Sequence, residues 1–195
     1  MRKVACFLIL AMFVSPVLSA EPESSYRTAI ENYKKGFYRL TRPGEDPHAF
    51  LNKAQQQFEL IIANYPNSDE AANSLLKLGY CQSKLGNQTT ATETFNSYLS
   101  QYGASTNSMI DDAKLQLAIA YRLNSDQAHA EKFLLETISY KTSTIPDQKN
   151  AIPDAYYELW SLYRDQNMTV EASAVATEFI TAYPDHPQAV YVSRQ

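Results

Sequence analysis

The chain has 195 residues, 45% of them hydrophobic and only 5 of them glycine, and carries a net charge of −4. That length supports one or two domains, and the scarcity of glycine and of alternating Val/Ile runs argues against an all-β fold. No basic stripe or acidic tail marks a nucleic-acid partner.

The N-terminus has the three parts of a secretory leader: Arg2-Lys3, an apolar run from Val4 to Val14, and Val17-Leu18-Ser19-Ala20 after a Ser-Pro break. The apolar run is short for a span of ~30 Å of hydrocarbon. The expectation is a signal peptide over residues 1–20, cleaved after Ser19 or Ala20. A lipidated bacterial N-terminus needs Cys after the cleavage site, and Glu21 stands there. The expected location is therefore periplasmic, without lipid. With Cys6 inside the leader, only Cys81 remains, so no intrachain disulfide can form.

The following elements read as helices in pairs. Ser24 to Leu40 predicts a first helix with Ala29, Ile30, Tyr33, Phe37 and Leu40 inward. An inserted loop, Thr41 to Pro47, separates it from a second helix carrying Ala54, Phe58, Ile61 and Ile62. Leu75, Leu78, Gly79 and Gln82 share one face of a third, and Ala91, Phe95, Tyr98 and Leu99 one face of a fourth. Leu85-Gly86-Asn87 breaks them apart, since Gly and Asn tolerate positive φ. Leu117, Ala118, Tyr121, Ala130, Leu134 and Ile138 predict a third pair. Tyr156, Leu159, Tyr163, Ala172 and Phe179 predict a fourth, opened by Pro153. IIANYPNSDEA at Ile61 and FITAYPDHPQA at Phe179 repeat one phrase at an offset of 118, and Ile62, Leu99, Ile138 and Ile180 are 37, 39 and 42 residues apart. Each Tyr-Pro ends one hairpin and starts the next. Ser68 and Asp185 are the expected caps, and Pro187 to Gln195 the expected closing helix.

The large–x–x–large–small pattern, followed by Ala, aromatic and Pro positions, resembles the tetratricopeptide repeat, a helix–turn–helix unit of about 34 residues. Trp160 stands where that family prefers a small residue. The resemblance implies an all-α, right-handed superhelix of about four helical hairpins over residues 21–195. The phrase Phe-x-x-Ile-Ile-x-x-Tyr-Pro-x-Ser-x-x-Ala followed by Leu-Gly-Tyr-Cys-x-x-x-Leu-Gly, behind a leader, looks like the repeat domains of Gram-negative envelope proteins. These include the lipoprotein of the outer-membrane β-barrel assembly machine and the Tol-Pal-associated division coordinator. The lipidated Cys of the first and the heptads of the second are lacking.

His48, His129 and His186 fall in different units, no metal-ligand spacing occurs, and no phosphate loop exists. Cys81, beside a packed stripe, reads as a structural, half-buried thiol. The chain is therefore expected to be no enzyme and to use no cofactor or metal. In the resembled family, first helices line a concave groove, and those positions are Leu76, Tyr80, Ser83 and Lys84, then Leu115, Ile119 and Arg122, then Tyr157, Ser161 and Arg164. A second reading has another helix of the chain packed there. The first reading expects Leu76, Tyr80, Ile119 and Tyr157 to form one apolar strip for a protein or peptide partner, with Lys84, Arg122 and Arg164 meeting its acidic groups. The implied role is a non-catalytic periplasmic scaffold in envelope assembly or division. The alternative is a regulatory subunit of a peptidoglycan-synthesis or secretion enzyme.

Overall fold

The computed structural model describes residues 21–103, 109–140 and 151–195. The expected leader over residues 1–20 lies outside the described residues. Those residues form helices and turns and no strand. The helices, in chain order, are α1 (Pro22–Phe37), α2 (Pro47–Asn64), α3 (Asp69–Lys84), α4 (Gln88–Tyr102), α5 (Ile110–Leu123), α6 (Gln127–Ser139), α7 (Ile152–Asp165), α8 (Thr169–Ala182) and α9 (Pro187–Val192). Four hairpins, α1/α2 to α7/α8, stack in chain order, and α9 closes the stack against α7 and α8. The odd-numbered helices α1, α3, α5 and α7 also touch in sequence, forming one row.

Local chemistry sets most of the boundaries. Proline, which has no N–H to lose in a first turn, opens α1, α2, α7 and α9. Ser68 caps α3 by accepting a hydrogen bond from the Ala71 N–H at 3.1 Å, and Asp126 caps α6 by accepting from the His129 N–H at 3.2 Å. Asp185 does not take the expected capping role: His186 is the first residue before α9, without a side-chain cap bond. Helix α1 also ends at Phe37, three residues before the expected end. Leu40 is thus 66% exposed rather than inward. The cause lies at Arg39, whose φ of +52° turns the chain out of the helix.

The turns within the last three hairpins are copies of one another. Gly86, Ser125 and Asn167 hold φ of +87°, +64° and +59°. In each case the left-handed residue donates its N–H three residues back and the next residue donates five back: Gly86 to Ser83 and Asn87 to Gln82, Ser125 to Arg122 and Asp126 to Tyr121, Asn167 to Arg164 and Met168 to Tyr163. These are the paired bonds that satisfy the orphan carbonyls at a helix C-terminus.

The core follows the expected stripes. Ala91, Phe95 and Tyr98 of α4 are fully buried, as are Leu117, Ala118 and Ala130 of the third hairpin and Ala155 and Phe179 of the fourth. A Cβ placed on Gly79 would lie 2.5 Å from the Phe95 ring, so that ring rests directly on the α3 backbone. Buried residues form two clusters. Helix α5 serves both, giving Ala113 and Leu117 to the N-terminal cluster and Leu115 and Ala118 to the C-terminal one. A hairpin's apolar stripe is covered only by its neighbours, as in repeat architectures.

Candidate interaction surface

Along the odd-helix row, the expected strip of Leu76, Tyr80, Ile119 and Tyr157 is divided. Leu76 has no exposure, Tyr80 6% and Leu115 3%. These three are part of the chain's own core, so the expectation that they are offered to a partner is corrected. Tyr80 is closed over by its neighbours. Its ring meets Tyr33 at 6.3 Å, Phe37 at 5.8 Å and Phe95 at 5.8 Å, and the Lys77 ammonium lies 4.7 Å from its centroid. Its hydroxyl donates to the Asp112 carboxylate on α5. Burial, then the Asp112 charge, pushes the Tyr80 phenol well up. Burial pulls the Lys77 ammonium down, and Asp112 opposes that.

Lys84 is exposed, as expected, with its ammonium 4.7 Å from the centre of the Phe37 ring. Arg122 does not form a free rim. Its guanidinium pairs with Glu158 at 2.9 Å, donates to the Ser161 hydroxyl at 3.2 Å, and reaches Asp165 at 3.9 Å. It ties α5 to α7. Burial raises the Glu158 carboxyl, and Arg122 opposes that shift. Ile119 is half-buried against the C-terminal cluster. Arg164 is exposed and stacks its guanidinium over Trp160 at 4.5 Å.

The exposed aromatic feature lies at the end of the row. Tyr157 is half-buried and Tyr191 is 45% exposed. Their ring centroids are 6.3 Å apart, and each lies about 6 Å from Trp160 (5.8 Å and 6.2 Å). Tyr157, Pro187, Gln188 and Tyr191 line an open cleft of about 240 Å³ between α7 and α9. That is smaller than a drug-sized pocket and suits one side chain of a larger partner. Sequence reasoning placed Tyr157 here but missed Pro187, Gln188 and Tyr191. The available signal was spacing: in a helix opened by Pro187, Tyr191 falls one turn on, on the same face. It also missed Lys77, which lies over the Tyr80 ring, and Asp112, which Tyr80 reaches through the α3–α5 contact.

Charge changes sign along the row. Stepping 81 residues from the second hairpin to the fourth takes Lys77 to Glu158 and Lys84 to Asp165. Among the described residues, no group of three or more His, Cys, Asp or Glu side chains is placed to hold a metal, and no helix is long and apolar enough to cross a membrane. Cys81 is fully buried rather than half-buried, and burial pushes its thiol up to about 12, opposed by Lys77.

Residues 73–105, which begin in α3 and run through α4, match the family model of the tetratricopeptide repeat. No curated protein matches the chain. Among solved structures, a Podosopora anserina protein described as a kinesin light chain with nearly identical TPR-like repeats superposes with a TM-score of 0.66 at 15% identity. It covers 89% of this chain and 83% of that one. PilW, described as a widely conserved type IV pilus biogenesis factor, gives a TM-score of 0.66 at 15% identity over 90% of this chain and 70% of its own. A tetratricopeptide repeat protein from Parabacteroides merdae gives 0.60 at 15% identity, over 87% and 58%. The chain thus contains a tetratricopeptide repeat at residues 73–105 and has, over most of its length, the fold of tetratricopeptide-repeat proteins.

Proposed function

We propose that the protein is a non-catalytic scaffold of the cell envelope that holds a segment of a protein partner along the odd-helix row. The cleft between α7 and α9 receives one apolar or aromatic side chain of that segment. The observation that carries this is the half-open ring cluster of Tyr157, Trp160 and Tyr191, with Tyr191 45% exposed. Exposed aromatic surface in a concave site is the usual anchor point of a protein interface. Lys84, exposed at the end of α3, favours an acidic group at that end of the segment. The envelope setting is supported by the leader-like residues 1–20. The likeness in fold to PilW, a pilus biogenesis factor, agrees with an assembly role.

The test is capture of partners from envelope extracts with the parent, Tyr191→Ala and Tyr157→Ala, after native helicity and melting of each variant are confirmed. The reading expects the same partner to be lost from both folded variants. Retention of every partner by both would remove the cleft from the reading. A captured enzyme whose turnover changes on binding would identify the regulatory-subunit alternative instead.

A further inference from the structure

The end of α1 runs on into Lys34-Lys35-Gly36-Phe37-Tyr38-Arg39-Leu40-Thr41-Arg42, which holds four cations and no acid in a chain whose net charge is −4. Lys34 and Lys35 sit in the last turn of α1, where a cation offsets the helix dipole. That explanation stops at Phe37. Arg39 and Arg42 lie beyond the helix, are exposed, and make no ion pair among the described residues. Between them stand Tyr38, 60% exposed, and Leu40, 66% exposed. Other large exposed apolar residues, such as Leu60, Leu123 and Val170, stand singly along the chain, whereas these two fall within three residues.

Tyr38 and Leu40 are held outward by the backbone. Arg39 sits between them with φ of +52°, a left-handed conformation that L side chains rarely adopt. Its N–H donates to the Gly36 carbonyl at 3.4 Å, and the Tyr38 N–H donates to Lys34 at 3.1 Å. Behind them, Phe37 packs edge-on to Tyr38 at 5.1 Å and takes the Lys84 ammonium on its ring at 4.7 Å. The acids nearby are Glu31, one turn back on α1, Glu45 and Asp46. Glu45 accepts from the Arg42 N–H at 2.8 Å, and Asp46 caps α2 through the His48 N–H at 2.9 Å.

The shape of this region distinguishes between occupants. Residues 38–40 and 42–46 are all exposed, and a Cβ on Gly44 would meet nothing within 4 Å. The turn is an open tip rather than a groove, which suits a flat surface better than an extended acidic peptide. An exposed aromatic and an exposed aliphatic side chain with cations on either side of them match the layering of an anionic bilayer surface. There, apolar and aromatic groups enter the headgroup layer while Lys and Arg stay with the phosphates. We propose that the segment from Lys34 to Arg42 docks the protein on an anionic lipid bilayer. Tyr38 and Leu40 enter the headgroup layer, and Lys34, Lys35, Arg39 and Arg42 lie against lipid phosphate. This surface is separate from the α7/α9 cleft, so a docked molecule keeps the cleft open to a partner.

The experiment is co-sedimentation of the protein, as isolated from cells expressing the full chain, with phosphatidylcholine vesicles that contain or lack phosphatidylglycerol. Parent and variants carry or lack residues 1–20 alike, so differences between them report the tip alone. The parent should bind the phosphatidylglycerol vesicles, bind pure phosphatidylcholine far less, and lose binding as salt screens the attraction. Arg39→Gln/Arg42→Gln should weaken binding roughly 30-fold, at about one decade per 1.4 kcal/mol and about 1 kcal/mol per cation. Tyr38→Ser/Leu40→Ser should weaken it as well while leaving the salt dependence in place. Both pairs alter exposed side chains, and their helicity should match the parent's. Equal binding by parent and both variants, or no preference for phosphatidylglycerol, overturns the proposal. So does parent protein that ignores the vesicles but binds poly-glutamate through Arg39 and Arg42, which would assign the tip to an acidic protein.

Discussion

Moving 81 residues along the chain carries the second hairpin onto the fourth, and it takes Gly79 to Trp160 and Phe95 to Ala176. In the second hairpin the large side chain comes from the second helix and rests on a bare backbone, since a Cβ at Gly79 would lie 2.5 Å from the Phe95 ring. In the fourth, the first helix supplies the large ring, Trp160 at 5% exposure, and the small Ala176 packs against the same cluster. The third hairpin stands between, with Ala118 and Leu134 at the corresponding positions, both buried. What must be conserved between two packed helices is the sum of volumes across the seam, not the residue at either side. The swap also has a functional side. The first-helix ring of the fourth hairpin lies about 6 Å from Tyr157 and Tyr191, which line the cleft, whereas Gly79 contributes no side chain to the row.

The comparison can be broken at its seam. Phe95→Ala should cost roughly 3–5 kcal/mol, because the ring is fully buried and leaves a cavity. Gly79→Val alone should cost about 1–3 kcal/mol through overpacking. Joining Gly79→Trp to Phe95→Ala imports the arrangement of the fourth hairpin. Denaturant melts should show the double variant more stable than the sum of its two single variants by over ~1 kcal/mol. Strict additivity would mean that the two positions do not share one volume.

A second pair of equivalent positions sharpens the contrast between hairpins. Tyr80 and Ser161 both reach α5, the first by donating to Asp112 and the second by accepting from Arg122 at 3.2 Å. Tyr80→Phe removes a buried bond to a carboxylate and should cost about 1.5–3 kcal/mol, whereas Ser161→Ala should cost about 0.5–1 kcal/mol. Equal losses in urea melts would show that the two links to α5 do not differ in strength.

The interhelix turns give a smaller effect. Gly86→Ala places a Cβ at φ +87° and should cost about 1 kcal/mol. Asn167→Gly relieves the same conformation at the matching turn and should gain roughly 0.5 kcal/mol. Matched melting temperatures for both variants and the parent would count against the shared turn geometry.

The smallest and most pH-sensitive effect lies where the third hairpin meets the fourth. Asp111 of α5 is 1% exposed and accepts from the Ala151 N–H at 3.2 Å, and burial raises its carboxyl above the ordinary range. A raised acid favours the folded state when protonated. Its contribution is present below the unfolded-state pKa and is lost as pH rises through the folded-state value. Asp111→Asn keeps an acceptor for Ala151 without the charge. The variant should therefore melt above the parent at neutral pH, with the difference shrinking as the medium is acidified through the carboxylate range. A difference that grows on acidification would reverse the sign and sink the argument.

The fold was legible because helical spacing and turn chemistry are local. Leu78, Phe95, Leu134 and Phe179 could be assigned to the core from stripes alone, and Ser68 and Pro153 from their places before or at a first turn. The surface was less legible because exposure is decided by residues distant in sequence. Tyr80 reads as a groove residue until α1 lays Tyr33 and Phe37 across it. Arg122 reads as a rim charge until α7 brings Glu158 within 2.9 Å. Leu40 reads as one more turn of an apolar stripe, and the left-handed Arg39 before it leaves no mark in hydropathy.

Among the described residues, every substantial contact in the stack joins helices one or two places apart in the chain. A stack wired in this way has, among the described residues, no long-range strap to bear load. Tension on its two ends is carried by one hairpin boundary at a time, so the chain should lengthen under force in successive modest steps as outer hairpins peel away, and should recoil in the reverse order when slack returns. A single all-or-none rip in an optical trap would contradict that. Such a protein would act as a compliant spacer between whatever it holds at its two ends.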